Sequence, residues 1–153
     1  MKTWMKMPLA IAAICFIGSA AQAQFAGPKD AVSYRKAVMH LIGVHFTRMG
    51  AMVKGEVPFE KADFSKNASV FKMLSELPWE AFMKDGSDKG DTSMKSSALK
   101  EKEKFNASAE SFKGQVKKLG DAADAGDMNA IKPLFGETAG TCKACHMSFR
   151  KLF

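Results

Sequence analysis

The sequence predicts an all-α fold, an antiparallel four-helix bundle, and three observations carry that reading. Apolar residues recur at steps of three, four and seven through long stretches, the spacing that gathers them on one face of a helix. The apolar–polar alternation that marks a half-buried strand is absent. Helix breakers, namely Gly55, Pro58, Pro78 and Gly126, fall between the periodic stretches.

The first helix is predicted over residues 30–54, where Val32, Met39, Ile42, Phe46, Met49 and Val53 share a face. Gly55 and Pro58 end it. A second spans residues 60–77, with Phe64, Ala68, Phe71 and Leu74 or Met73 inward and Pro78 as its stop. The "KDGSDKGD" stretch then reads as a loop with no structure of its own. The third helix, residues 96–125, carries Phe105, Ala109, Phe112, Val116, Leu119 and Ala123, the seam of a bundle. Gly126 and Asp127 turn the chain, and Asp127 suits the N-cap of a fourth helix over 127–151. Pro133 removes a backbone donor and crowds the preceding turn, so the sequence favours a start near Pro133, with a kink there as the other option. Helices of about 20 residues would each run about 30 Å, joined by short loops.

The N-terminus is set apart from this pattern. Lys2 and Lys6 precede an apolar run, and Ala21-Gln22-Ala23 supplies a small-residue cleavage site. Residues 1–23 are expected to be a signal peptide, leaving one domain at 24–153 in the periplasm. The run is short for a membrane span and no stop-transfer charges follow it, so no membrane insertion is expected after removal. Cys15 leaves with the leader; the bulky Ile14 before it argues against a lipoprotein site. The formal charge of +7 includes Lys2 and Lys6, and the remaining lysines are scattered, which describes a solvated surface and gives no case for a nucleic-acid partner.

Cys142-Lys143-Ala144-Cys145-His146 lies almost at the C-terminus. A disulfide across two residues would close a trivial loop and stabilise little. Zinc would need two further ligands, and His40 and His45 stand five apart, about 140° around a helix, so they do not chelate together. A thioredoxin-like pair wants a βαβ pattern, which is missing. Covalent attachment of haem c is the remaining use: on a helix Cys142, Cys145 and His146 share one face, placing two thiols for the haem edge and an imidazole for the iron. Only seven residues follow His146, so the other face of the iron must be covered from upstream, most naturally by the first helix.

The stretches "QFAGPKDAVSYRKAVMHLIGVHFTRM", "LPWEAF", "AADAGD" and "CKACHMSFRK" together resemble cytochrome c′, a class II c-type cytochrome, over essentially the whole of residues 24–153. The resemblance implies haem c at one end of the bundle, a homodimer through the first two helices, and a high-spin five-coordinate iron that binds NO and CO. It also implies kinship with electron carriers, here with an unidentified redox partner. Carried over residue by residue, it makes Cys142 and Cys145 the attachment pair and His146 the proximal ligand, puts Met39 over the iron and brings Arg35 to a propionate. Trp79 and Phe82 match aromatic positions that line the pocket. Arg150, four residues past His146, lies beside the proximal face. Lys36 stands where the family often has a neutral amide, and Pro133 is outside its pattern.

Two functional readings then stand. In one, Met39 covers the iron without bonding to it, and the protein binds NO or CO. In the other, Met39 ligates the iron and the protein is a low-spin electron carrier. Met39 shares its stripe with Ile42 and Phe46, and bulky Val38 and His40 flank it, which favours the open site. Peroxidase-like catalysis would need a distal acid–base group that this stripe does not supply, so no enzyme activity is expected. His40 and His45 read as surface or interface residues, and Val38, Leu41 and His45 form a second apolar edge suited to a partner copy.

Overall fold

A computed structural model describes residues 24–151. The expected signal peptide and Cys15 lie outside the described residues. Four long helices form the bundle: α1 (Pro28–Val53), α2 (Lys61–Ser75), α5 (Lys102–Ala125) and α6 (Met128–Phe149). Two short helices, α3 (Trp79–Met83) and α4 (Ser97–Lys100), lie between α2 and α5. That connection is therefore much longer than the short loop expected for a simple bundle.

Each helix ends where local chemistry dictates. Pro28 occupies the first turn of α1, where a missing N–H costs nothing. Past its end, Gly55 adopts a left-handed φ of 75° while the Glu56 N–H returns to the Ala51 carbonyl. At the end of α2 the Trp79 indole donates to the Ser75 carbonyl at 2.6 Å, satisfying an acceptor the helix itself leaves free. Gly126, with φ 74°, closes α5 in a left-handed conformation that selects glycine, and the Lys61 side chain packs across it.

The start of α6 corrects the expectation built on Pro133. The helix begins at Met128, and Pro133 lies inside it. Asp127 accepts from the Asn129 and Ala130 amides, at 2.9 and 3.4 Å, and the fully buried Ile131 anchors the first turn in the core. Cap and anchor together outweigh the one hydrogen bond that proline withholds. The third predicted helix is likewise divided, because Glu101 leaves helical geometry with φ −110° and ψ 51° between α4 and α5.

The core runs along the bundle axis. All six seam residues of α5 are buried, and with Phe64, Phe71, Met49 and Ile131 they close the interior. Leu74 faces in and Met73 is left 58 % exposed, which resolves the ambiguous position on α2. Val38 is also buried within the chain's own core, so the outer edge expected from Val38, Leu41 and His45 is narrower than the sequence implied. Leu41 remains 44 % exposed, and His45 Nδ1 lies 2.8 Å from Asn67 Oδ1 on α2. No helix among the described residues is long and apolar enough to cross a membrane.

Candidate haem site

One cavity of about 640 Å³ opens between the helices near the C-terminal end of α6. Its α6 wall carries Cys142, Cys145, His146 and Phe149, with Arg150 just past the helix end. From α1 come Arg35, Met39, Ile42, Gly43 and Phe46, and from α3 come Trp79 and Phe82. The cavity thus gathers every site residue named from the sequence: Arg35, Met39, Trp79, Phe82, Cys142, Cys145, His146 and Arg150. No Asp or Glu contributes to its lining.

Helical spacing alone sets the α6 group, since residues three and four apart share a face. Cys142 and Cys145 are free and half-buried. Burial pushes both thiols up, and Cys145, beside Cys142, rises to about 11, so both stay protonated at neutral pH. His146 is exposed at the cavity edge; partial desolvation, then the nearby charge of Arg150, lowers its pKa, which favours the neutral imidazole a metal needs.

The aromatic wall is continuous. Trp79 stacks on Phe82 with centroids 6.1 Å apart, Phe82 meets Phe105 at 5.1 Å, and Phe105 meets Phe149 edge-on at 5.2 Å. Phe105 and Phe149 were not legible as site residues, because a buried aromatic on a helical seam looks the same whether it packs on protein or on a porphyrin. Gly43, one turn past Met39, likewise carries no sequence signal of a site. Nothing lies within 4 Å of where its Cβ would be, so the wall beside Met39 is left open.

Arg35 is only 3 % exposed and forms no ion pair among the described residues. One terminal amino group donates to Ala81 O at 3.3 Å and to Ser87 Oγ at 2.9 Å. The other donates to Ser87 O at 2.5 Å and to Thr92 Oγ1 at 2.6 Å. Its carbon centre lies 4.9 Å from the Phe82 ring. Only Nε–H of the five donors is left without one of these partners. Desolvation lowers the pKa of Arg35, with Asp88 opposing at longer range. Lys36 is exposed and pairs with Asp91 at 2.8 Å. His40 is exposed at the cavity rim, and Thr92, Ser93 and Met94 line the cavity from the stretch that follows the Gly/Asp loop.

The residues present fit haem c. Two unpaired thiols and a neutral imidazole share one helix face on a cavity walled by aromatics, and the buried Arg35 has no carboxylate in contact, so its charge suits the anionic edge of a porphyrin. Fold and cavity together define a c-type haem protein of the helical-bundle class.

Comparison with known proteins agrees. A family model for cytochrome C' matches residues 30–150. The chain is 40% identical over 128 residues to the cytochrome c′ of Alcaligenes xylosoxydans xylosoxydans, spanning 84% of this chain and 98% of that one. Identity to the cytochrome c′ of Rubrivivax gelatinosus is also 40%, over 129 residues, 84% of this chain and 99% of that one. The crystal structure of the Rubrivivax gelatinosus protein superposes with a TM-score of 0.80, covering 84% of this chain and 100% of that one. A ferrous variant of the Alcaligenes xylosoxidans cytochrome c′, solved with bound NO, matches at 37% identity and a TM-score of 0.80, over 85% and 100% of the two chains. The chain belongs to the cytochrome c′ family, whose cofactor is covalently attached haem c.

Proposed function

We propose that this protein is a periplasmic cytochrome that binds NO and CO at a five-coordinate haem and can exchange electrons with a redox partner. The observation that carries the reading is the make-up of the 640 Å³ cavity: both cysteines and His146 on its α6 wall, and apolar Met39, Ile42 and Phe46 on its α1 wall. Cys142 and Cys145 hold the group through thioethers, and His146 presents its neutral imidazole to the iron. A haem iron with one protein ligand supplies a free coordination position for diatomic gases.

Met39 is the cover of that position. It packs against the core cluster beside Ile42, and Gly43 follows one turn on along the same cavity wall. Bound O₂ draws charge and gains from a hydrogen-bond donor, whereas NO and CO depend on one less. An apolar cover therefore selects NO and CO over O₂. Arg35 and Arg150 bring positive charge to a cavity without carboxylates, which supports binding of the propionates, and Trp79 and Phe82 pack against the ring. Peroxide cleavage would need an acid–base group over the iron, and the residue offered there is Met39, with His40 out at the exposed rim, so the role is binding and not catalysis. NO bound to the ferrous Alcaligenes xylosoxidans relative supports the choice of gas.

Residues 1–23 direct export to the periplasm as a cleaved signal. The outer face of α1 around Leu41 forms a homodimer contact.

Optical spectra of the oxidised and reduced protein test the reading. The ferric form should be high-spin and lack the near-infrared sulfur-to-iron band, and the ferrous form should bind CO in one step. A low-spin ferric spectrum that becomes high-spin in Met39→Ala would make Met39 the sixth ligand and the protein an electron carrier.

A further inference from the structure

The geometry points to Arg35 as a positioning residue that couples the α1 wall of the haem cavity to the α6 wall through the segment between them. Arg35 sits one helical turn before Met39, and Arg150 one turn after His146. The two ends are joined by a short relay. Arg35 holds Ser87 and Thr92 by the contacts at 2.9, 2.5 and 2.6 Å. Thr92 Oγ1 in turn accepts from the Met94 amide at 3.1 Å. Met94 and Arg150 then form an isolated antiparallel bridge: Lys95 N–H donates to Phe149 O at 2.8 Å, and Lys151 N–H to Ser93 O at 2.7 Å.

The relay matters because α6 packs chiefly on α5 and touches α1 much less. The 92–95 segment therefore supplies a polar tie between the helix that carries Met39 and the end of the helix that carries His146. A guanidinium suits the task, since its rigid fork of donors grips two residues of one loop at once. Neutral acceptors around a buried cation also make the arrangement sensitive: losing any of them leaves a desolvated donor unpaired. The inference rests on the proposed ligation by His146 only for its spectroscopic consequence.

The test uses the haem-loaded protein and three variants, Arg35→Gln, Thr92→Val and the double variant. Backbone hydrogen exchange at Lys95 and Lys151 reads the tie directly. Each single variant should speed exchange at both amides about tenfold, and the double variant should do little more than the stronger single one, because the two residues act in series. The iron–histidine stretching band of the ferrous form should shift or broaden in both single variants. A purely propionate role for Arg35 predicts a different pattern: Arg35→Gln moves the band, Thr92→Val leaves it alone, and exchange stays at the unsubstituted rate. That pattern, or additive effects in the double variant, overturns the coupling. Thr92→Val and Ser87→Ala carry the test if Arg35→Gln does not fold. Absence of an iron–histidine band in the unsubstituted protein would overturn the five-coordinate ferrous iron while leaving the exchange result to decide the coupling.

Discussion

Phe46 of α1 and Phe135 of α6 lie face to face, their ring centroids 4.1 Å apart and their planes within 5° of parallel. Phe46 also lines the haem cavity, so this pair is where the cavity wall meets the bundle core. Gly50 makes the arrangement possible: a Cβ at that position would stand 3.0 Å from Phe135 Cζ. Replacing a helical glycine by alanine normally gains about 1 kcal/mol. Gly114→Ala, with nothing within 4 Å of the new methyl, should show that gain as a higher urea midpoint. Gly50→Ala should not, because Phe135 must tilt away from Phe46 and the packing loss offsets the propensity gain. Equal stabilisation by both variants would refute the packing role of Gly50.

Attachment through Cys142 and Cys145 predicts that haem resists extraction by acidified organic solvent from the unfolded protein. Cys142→Ser or Cys145→Ser should leave one thioether, seen as a longer-wavelength band of the reduced pyridine adduct. Only the double variant should release the haem. Clean extraction from the unsubstituted protein would end the covalent assignment.

His146→Ala should retain both thioethers yet lose the proximal bond, since tether and ligand are chemically separate. The reduced spectrum should change, and added imidazole should restore much of it by entering the space left on the α6 wall. A spectrum identical to that of the unsubstituted protein would show that another group binds the iron.

With Val38 buried in the core, the expected dimer contact depends on Leu41, which is 44 % exposed. Leu41→Glu should shift sedimentation towards monomer at a protein concentration where the unsubstituted chain is dimeric, because a charge buried against its own copy in a two-fold contact is costly. Monomer alone, at every concentration of the unsubstituted protein, would count against a dimer through this face.

The sequence by itself determined the helical architecture and the chemical identity of the site. Helical period is local, so the seam from Phe105 to Ala123 could be read without a neighbour, and it is buried throughout. The grouping of Cys142, Cys145 and His146 is equally local, because three residues within five positions of one helix have no freedom to separate. Tertiary structure decided the rest. Whether Pro133 began a helix or lay inside one depended on the Asp127 cap and on Ile131 finding the core. Whether Val38 faced a partner or its own chain depended on how α1 was rolled against its neighbours. Arg35 shows the limit most clearly. Its acceptors stand 46 to 57 positions away, at Ala81 on α3 and at Ser87 and Thr92 in a stretch beyond it that carries no periodic signal. A buried cation takes its role from the partners that reach it, and those are brought together only when the bundle closes.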